Sequence, residues 1–118
     1  MKKKILIIDD NAGILFAVQQ ALELKGYDVS VSETFPGVTT IENDSPDLIY
    51  LDVSLLGTDG RDVSRELKQN ESTKNIPIIM LTAHVNAEQL AQQAGANSYL
   101  TKPFELARLW EKTEAYTS

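Results

Sequence analysis

The sequence predicts an α/β domain: a five-stranded parallel sheet, doubly wound in the order 2-1-3-4-5, with helices on both faces. Three observations carry that expectation. Short β-branched runs alternate with helical spacing from end to end of the 118 residues. Three of the runs are continuously apolar, as strands buried on both faces are, while two are partly polar, as edge strands are. Right-handed crossovers then leave few windings that put those two runs outermost.

Taken in order, Ile5-Leu6-Ile7-Ile8 is the first strand and stops at two acids. Residues 12–25 have helical spacing, with Leu15, Val18 and Leu22 on one face and Gly26 at the C′ position. Val29 and Val31 alternate with Ser30 and Ser32, which suits an edge strand. A short helix is expected over residues 38–42, with Pro36 near its first turn. Leu48-Ile49-Tyr50-Leu51 is a fully buried strand closed by Asp52. Residues 54–60 read as a loop, after which Val63 and Leu67 mark an amphipathic helix. Ile78-Ile79-Met80-Leu81 repeats the buried-strand pattern and ends at Thr82. Ala87, Leu90, Ala91 and Ala94 outline a thin helix stopped by Gly95; Leu90 is its only large apolar anchor. Ser98–Thr101 is the last strand, before Lys102-Pro103, and Leu106, Leu109 and Trp110 line the final helix. Trp110 reads as a packing residue.

Length and composition narrow the function. At about 100–200 residues per domain, residues 1–118 make one domain. Apolar residues are 42% and charged residues 24%, the balance of a folded chain rather than a disordered one. Seventeen acids against eleven Lys and Arg leave a net charge of −6, which argues against gripping nucleic acid by charge. No cysteine is present, so disulfides, thiolate metal sites and cysteine nucleophiles are excluded, and a lone His84 excludes a His-rich site. The longest apolar run falls far short of the ~20 residues of a membrane span. The basic run at 1–4 is a solvated strand entry, because the apolar run behind it is too short for a secretory signal. The chain reads as soluble and cytoplasmic.

Polar residues stand where the central strands stop: Asp9 and Asp10, Asp52, Thr82 and Lys102. In an open α/β sheet these ends share one edge, and ligands bind where the winding reverses, here between the first and third strands. Singly, each has a plain structural role. Asp10 could cap the first helix, Thr82 the fourth, and Lys102 could be a solvated lysine. Together they carry complementary chemistry. Three carboxylates in one place repel one another. A hard divalent cation removes that conflict, and magnesium is typically held by one or two carboxylates with waters and phosphate oxygens. Lys102 offers a compact cation suited to a phosphoryl oxygen or to Asp52. The turn Asp9-Asp10-Asn11-Ala12-Gly13 is no glycine-rich phosphate loop, which excludes dinucleotide binding.

The acidic pair Asp9-Asp10, the segment from Asp52 to Gly60, the step Leu81-Thr82-Ala83 and the stretch from Ala94 to Phe104 resemble the receiver domains of two-component response regulators. The resemblance spans nearly the whole chain, and the ordered set is specific where any one motif is weak. It implies a flavodoxin-like wind and a role in phosphorelay signal transduction. Asp52 would be the phosphoacceptor. Asp10 would be a direct ligand of Mg²⁺ (or Mn²⁺) and Asp9 one that often acts through water, with the Ser54 backbone carbonyl completing the protein ligands. Thr82 would be the switch hydroxyl, Lys102 the cation pairing with the phosphoryl group, and Tyr99 the switch aromatic. The Lys102-Pro103 bond is cis in such domains. The implied partners are a histidine kinase or histidine phosphotransfer protein as donor, and a downstream protein or covalently linked effector. Contact would be through the fourth helix, fifth strand and fifth helix, with phosphorylation-dependent dimerisation as another outcome. Such a domain is not a turnover enzyme; it promotes only its own phosphorylation and dephosphorylation. Leu56 replaces a proline common in the family, which would loosen the loop, and Ser54 and His84 occupy positions that tune phosphate lifetime.

Three rivals remain in view. A phosphohydrolase with an aspartyl intermediate usually carries Asp-x-Asp after its first strand, where this chain has Asp9-Asp10-Asn11. A flavin-binding module would need a hydroxyl- and glycine-rich phosphate loop. A receiver-like scaffold without phosphorylation would not need the full set Asp9, Asp10, Asp52, Thr82 and Lys102.

Overall fold

The computed structural model describes residues 2–118, so Met1 of the basic run lies outside the described residues. Five strands build the sheet: β1 Lys4–Ile8, β2 Asp28–Ser32, β3 Leu48–Asp52, β4 Ile78–Thr82 and β5 Ser98–Thr101. They lie side by side in the order β2-β1-β3-β4-β5, with every neighbouring pair parallel. The expected wind is observed. β1, β3 and β4 are buried almost throughout, and the partly polar β2 and β5 are the edges. Among the described residues no helix is long and apolar enough to cross a membrane.

Because side chains alternate along a strand, the sheet feeds two separate cores. On one face, Ile5, Ile7, Leu48, Tyr50 and Leu100 pack against Leu15, Val18 and Leu22 of α1 (Ala12–Glu23) and Leu109 of α5 (Leu106–Thr117). On the other, Ile8, Ile49, Leu51, Ile78 and Met80 meet α2 (Val38–Asp44), α3 (Gly60–Gln69) and α4 (Ala87–Ala94). The helical pattern read over residues 12–25 ends earlier, at Glu23, where the last turn tightens into a glycine cap. Gly26 adopts φ +89°, and the Tyr27 N–H donates to the Leu22 carbonyl at 3.2 Å. α4 ends likewise, with the Ala96 N–H donating to the Ala91 carbonyl at 3.0 Å.

The structure departs from the sequence reading in three further places. Residues 54–60 are not an open loop: Ser54–Leu55 pairs with Thr58–Asp59 in a two-residue hairpin, and Gly57 turns it at φ +74°. Leu56 sits exposed on that turn, so the missing proline does not leave the segment unpaired. α3 begins directly behind the hairpin, capped by Asp59, whose carboxylate accepts from the Arg61 N–H at 2.9 Å. α2 runs to Asp44, two residues past the expected stop. Leu106 does not face the core but is 50% exposed, whereas Trp110 packs as expected: its indole N–H donates to the Ala21 carbonyl at 3.0 Å, and the Lys25 ammonium lies 4.4 Å from its ring centroid.

The middle of β3 holds one polar atom inside the core. The Tyr50 hydroxyl shares a 2.7 Å hydrogen bond with the Thr113 hydroxyl, which also lies 2.7 Å from the Leu109 carbonyl it donates to. Burial pushes the Tyr50 hydroxyl far above its ordinary pKa, so it stays protonated. Tyr50→Phe should therefore lower stability by about 1 kcal/mol, the net worth of one hydrogen bond, seen as a lower urea midpoint at constant slope. An unchanged midpoint would show that this bond contributes nothing to docking α5.

Candidate functional site

The functional groups are set by where the apolar strand runs stop. Asp9 follows β1 directly and Asp52 is the last residue of β3, and β1 and β3 are neighbours in the sheet. By alternation both side chains continue the face of Ile7 and Tyr50, the α1–α5 side. Thr82 ends β4 on the opposite face, following Ile78 and Met80, which pack on the α3–α4 side. One carboxylate oxygen each from Asp9, Asp10 and Asp52 lie within 4.8 Å of one another. Lys102, just beyond β5, reaches this group: its ammonium donates to Asp9 Oδ2 at 2.8 Å and lies 3.5 Å from Asp52 Oδ1.

The plain alternatives for these residues fail. Asp10 does not cap α1; Asn11 does, its Oδ1 accepting from the Ile14 N–H at 3.0 Å. Thr82 does not cap α4, which starts at Ala87 after an uncapped Asn86. Instead the Thr82 hydroxyl accepts from the His84 N–H at 3.1 Å. Lys102 is not a solvated lysine, since its side chain is only 18% exposed and paired with a fully buried Asp9. The Lys102-Pro103 peptide is cis.

An open cleft of about 380 Å³ lies over this edge, lined by Asp10, Asn11, Asp52, Ser54, Ala83, His84 and Lys102. Asp9 and Thr82 are buried and do not line it. Asp9 has both oxygens engaged, Oδ2 with Lys102 and Oδ1 accepting from the Asn11 N–H at 2.9 Å. Asp10 is exposed and has no ion-pair or hydrogen-bond partner among the described residues. Ser54 is exposed beside Asp52, and its N–H donates to Asp52 Oδ1 at 3.2 Å. Tyr99 lies away from the cleft, half-buried on the α3–α4 side next to Met80, while the neighbouring register pairs Thr101 with Thr82. Asn11 and Ala83 complete the cleft without having been singled out from sequence; Asn11 was hidden by the adjacent acids that also suit a cap.

Electrostatics explain why the cluster needs a partner. Desolvation pushes the Asp52 carboxyl above its ordinary pKa; the Ser54 N–H and Lys102 oppose that rise, and the charges of Asp9 and Asp10 add to it. One ammonium faces three carboxylates, so the site keeps a surplus of negative charge. Its donor set is all hard oxygen, which matches what a small divalent cation such as magnesium takes and does not suit a soft metal. The residues present therefore fit such an ion, with Asp10 and Asp52 open to the cleft.

Backbone packing fixes the Asp52 end of β3. The Gly60 N–H donates to the Val53 carbonyl at 2.7 Å. A Cβ on Gly60 would fall 2.1 Å from the Asp52 carbonyl oxygen and 2.9 Å from Val53 Cα. No side chain fits between α3 and the end of β3.

Similarity to known proteins is consistent along the chain. A family model described as the response regulator receiver domain matches residues 5–114. The phosphate regulon transcriptional regulatory protein PhoB of Pseudomonas aeruginosa is 42% identical over 116 residues, covering 96% of this chain and 51% of that protein. The chain spans about half the length of the curated relatives it matches. A putative response regulator from Chloroflexus aurantiacus superposes with a TM-score of 0.93 at 31% identity, covering 99% of this chain and 98% of that one. The receiver domain of sensor histidine kinase PA1611 from Pseudomonas aeruginosa, solved with a magnesium ion coordinated in its active-site cleft, gives 0.89 at 30% identity, covering 99% and 98%.

Two expectations follow from the site. Because the folded state raises the Asp52 pKa, the stabilising contribution of this group is complete below the unfolded carboxylate pKa and is lost as pH rises through the folded value. Without divalent cations, Asp52→Asn should thus melt higher than wild type at neutral pH, and the difference should vanish in acid. A lower neutral-pH melting point in the variant would refute the assigned charge penalty. Gly60→Ala should cost about 1–3 kcal/mol in denaturant unfolding, as overpacking does, and an unchanged midpoint would contradict the close approach.

Proposed function

The chain belongs to the response regulator receiver domain family, signalling modules of phosphorelays, and on that premise we propose that Asp52 is its phosphoacceptor, with residues 1–118 forming one receiver domain. The observation that carries this reading is the clustering of Asp9, Asp10 and Asp52 with Lys102 at the mouth of a cleft where Asp52 is the carboxylate ending the central strand.

In this reading an oxygen of the ionised Asp52 attacks the phosphorus of a phosphohistidine or a small acyl phosphate. The bond from phosphorus to the donor's nitrogen or oxygen breaks, and its electron pair leaves with the donor. The product is an acyl phosphate on Asp52. The ligands of the divalent ion would be Asp10, Asp52 and the Ser54 carbonyl, with Asp9 acting behind them while holding Lys102. Bound there, magnesium or manganese supplies positive charge that offsets the carboxylates and the incoming phosphoryl oxygens. Lys102 already stands between Asp9 and Asp52, so a short swing brings its ammonium to a phosphoryl oxygen. Asn11, Ser54 and His84 border the approach and are placed to influence how long the acyl phosphate survives attack by water.

Phosphorylation adds up to about two negative charges and three strong acceptors at the cleft. Thr82 would give up its bond from the His84 N–H and turn its hydroxyl toward them, crossing from the α3–α4 side. Tyr99 lies on that same side, and it fills the space Thr82 leaves. The change is a shift between two populated arrangements, favoured because the phosphoryl group binds one better. The affected surface is α4, β5 and α5, where a downstream protein, a linked effector or a second copy would read it.

The donor is a histidine kinase or a histidine phosphotransfer protein. An apolar groove of about 390 Å³, lined by Ile14, Ala17, Phe104 and Leu106, shares Ala83 and Lys102 with the cleft and offers uncharged surface beside it. The reaction runs in the cytoplasm, and the domain turns over no external substrate beyond its own phosphoryl donor.

Incubation with a small acyl-phosphate donor and magnesium, followed by intact mass, tests the assignment. Wild type should gain the mass of one phosphoryl group, and chelation of the metal should suppress it. Asp52→Asn should gain none; an equal adduct on that variant, or none on wild type, would move the acceptor elsewhere or remove it.

A further inference from the structure

We propose that Lys112 of α5 is a positioning residue that holds the Tyr99 ring in the half-buried arrangement of this structure, so that switching must draw the ring away from an ammonium. This rests on the reading of Tyr99 as the switch aromatic. Ser98 and Tyr99 are consecutive on the edge strand β5, so their side chains point to opposite faces of the sheet. Ser98 continues the α5 face and Tyr99 the α4 face, where it packs with Met80 and Leu90 in the same core. Lys112 comes from α5 yet serves both faces. Its ammonium donates to Ser98 Oγ at 2.6 Å and lies 5.9 Å from the centroid of the Tyr99 ring.

Nothing else claims that charge. Lys112 makes no ion pair among the described residues, although its side chain is half-buried. A partly desolvated ammonium is stabilised here by one hydroxyl oxygen and one aromatic face. The ring also borders a groove of about 520 Å³ along α4, shared with Glu88, Gln92 and Thr101, so it has room to move. When it does, the ammonium loses its aromatic partner while Ser98 keeps it in place. The arrangement beside the ammonium is favoured by that difference, and the phosphoryl group must overcome it through Thr82. Methionine keeps a long apolar side chain and removes only the ammonium, which is why the charge can be tested alone.

The experiment uses chain labelled with fluorotyrosine, with the Tyr99 resonance assigned by Tyr99→Phe, in the free state and with beryllofluoride plus magnesium. In Lys112→Met the free-state Tyr99 resonance should move toward its beryllofluoride-bound position, and apparent affinity for beryllofluoride should rise about two- to fivefold. Lys112→Arg, which keeps a cation at the ring, should restore both values. Ser98→Ala, which removes only the anchor, should give a smaller shift in the same direction. A free-state resonance unmoved in Lys112→Met, or one moved equally in Lys112→Arg, overturns the proposal. If the wild-type resonance does not respond to beryllofluoride, the switch reading of Tyr99 fails and takes the proposal with it. The two failures are separable, because the first is read without magnesium or beryllofluoride.

Discussion

Three carboxylates forced into one corner set the terms for the rest of this molecule. Their proximity comes from neighbouring parallel strands that end in acid at the same level, and no local rearrangement can separate them without slipping a strand. A one-residue slip would turn every buried side chain of β1 or β3 to the other core. The apolar runs therefore hold the acids together against their repulsion. Lys102 relieves part of that repulsion from 93 residues away in sequence. Only a wind that brings the end of β5 to the same sheet edge as β1 makes that meeting possible. The Lys102–Asp9 pair is buried, so its Coulombic gain is largely offset by desolvation, and its value lies in where it puts the ammonium. What remains is an excess of negative charge in the cleft, which an added cation would offset.

The same sheet sets the carboxylate cluster and the Thr82–Tyr99 pair on different faces. Asp9, Asp52 and Lys102 continue the α1–α5 face, while Thr82 and Tyr99 continue the α3–α4 face. Thr82 is the one member of the set placed to pass from one side to the other. Beyond it, α4 is held unequally. Its C-terminal carbonyls are tied to α3, with the Ser64 hydroxyl donating to the Ala94 carbonyl at 2.8 Å and the Arg65 guanidinium to the Gln93 carbonyl at 2.9 Å. Its N-terminal end has no side-chain cap and follows a fully exposed Val85. Three of its four buried residues are alanines. An element with so little apolar anchoring opens at low cost, and the asymmetry directs that freedom to the end nearest Thr82.

Much of this was legible in the sequence, for physical reasons. Doubly buried strands must be apolar throughout, so Ile5 to Ile8, Leu48 to Leu51 and Ile78 to Leu81 declare themselves, and a wind that leaves two half-polar strands outermost is strongly constrained. Strand ends lie at one edge in any such sheet, which is why Asp9, Asp10, Asp52 and Lys102 could be grouped before any coordinates. What could not be read depends on backbone angles and on pairs far apart in sequence. Whether Asp10 or Asn11 caps α1 turns on the extended conformation of Asn11, which neighbouring polar residues do not reveal. The hairpin inside residues 54–60 has only two residues per strand, below any alternation that periodicity can detect. Leu106 fits the spacing of the final helix yet is half exposed, lining an apolar groove with Ile14 and Phe104 rather than the core. Tyr50 looks like one more apolar residue until Thr113, 63 positions later, is found against its hydroxyl.

That last contact links the two halves of the structure through α5. Tyr50 and Asp52 share one face of β3, two residues apart, so anchoring the tyrosine hydroxyl also fixes the register of the carboxylate. The anchor is Thr113, in the turn of α5 adjacent to the residue that touches Ser98 and Tyr99, Lys112. Successive residues on a helix point about 100° apart, so one turn of α5 reaches inward to the strand carrying Asp52 and sideways to the edge strand's aromatic. The helix core is rigidly seated, since Leu109 and Thr113 are fully buried. A rigid helix with one buried and one lateral contact could not follow the Tyr99 ring in the proposed switch. In that proposal the contact that yields is the flexible one, the long lysine side chain, while the strand carrying Asp52 keeps its place through Tyr50 and Thr113.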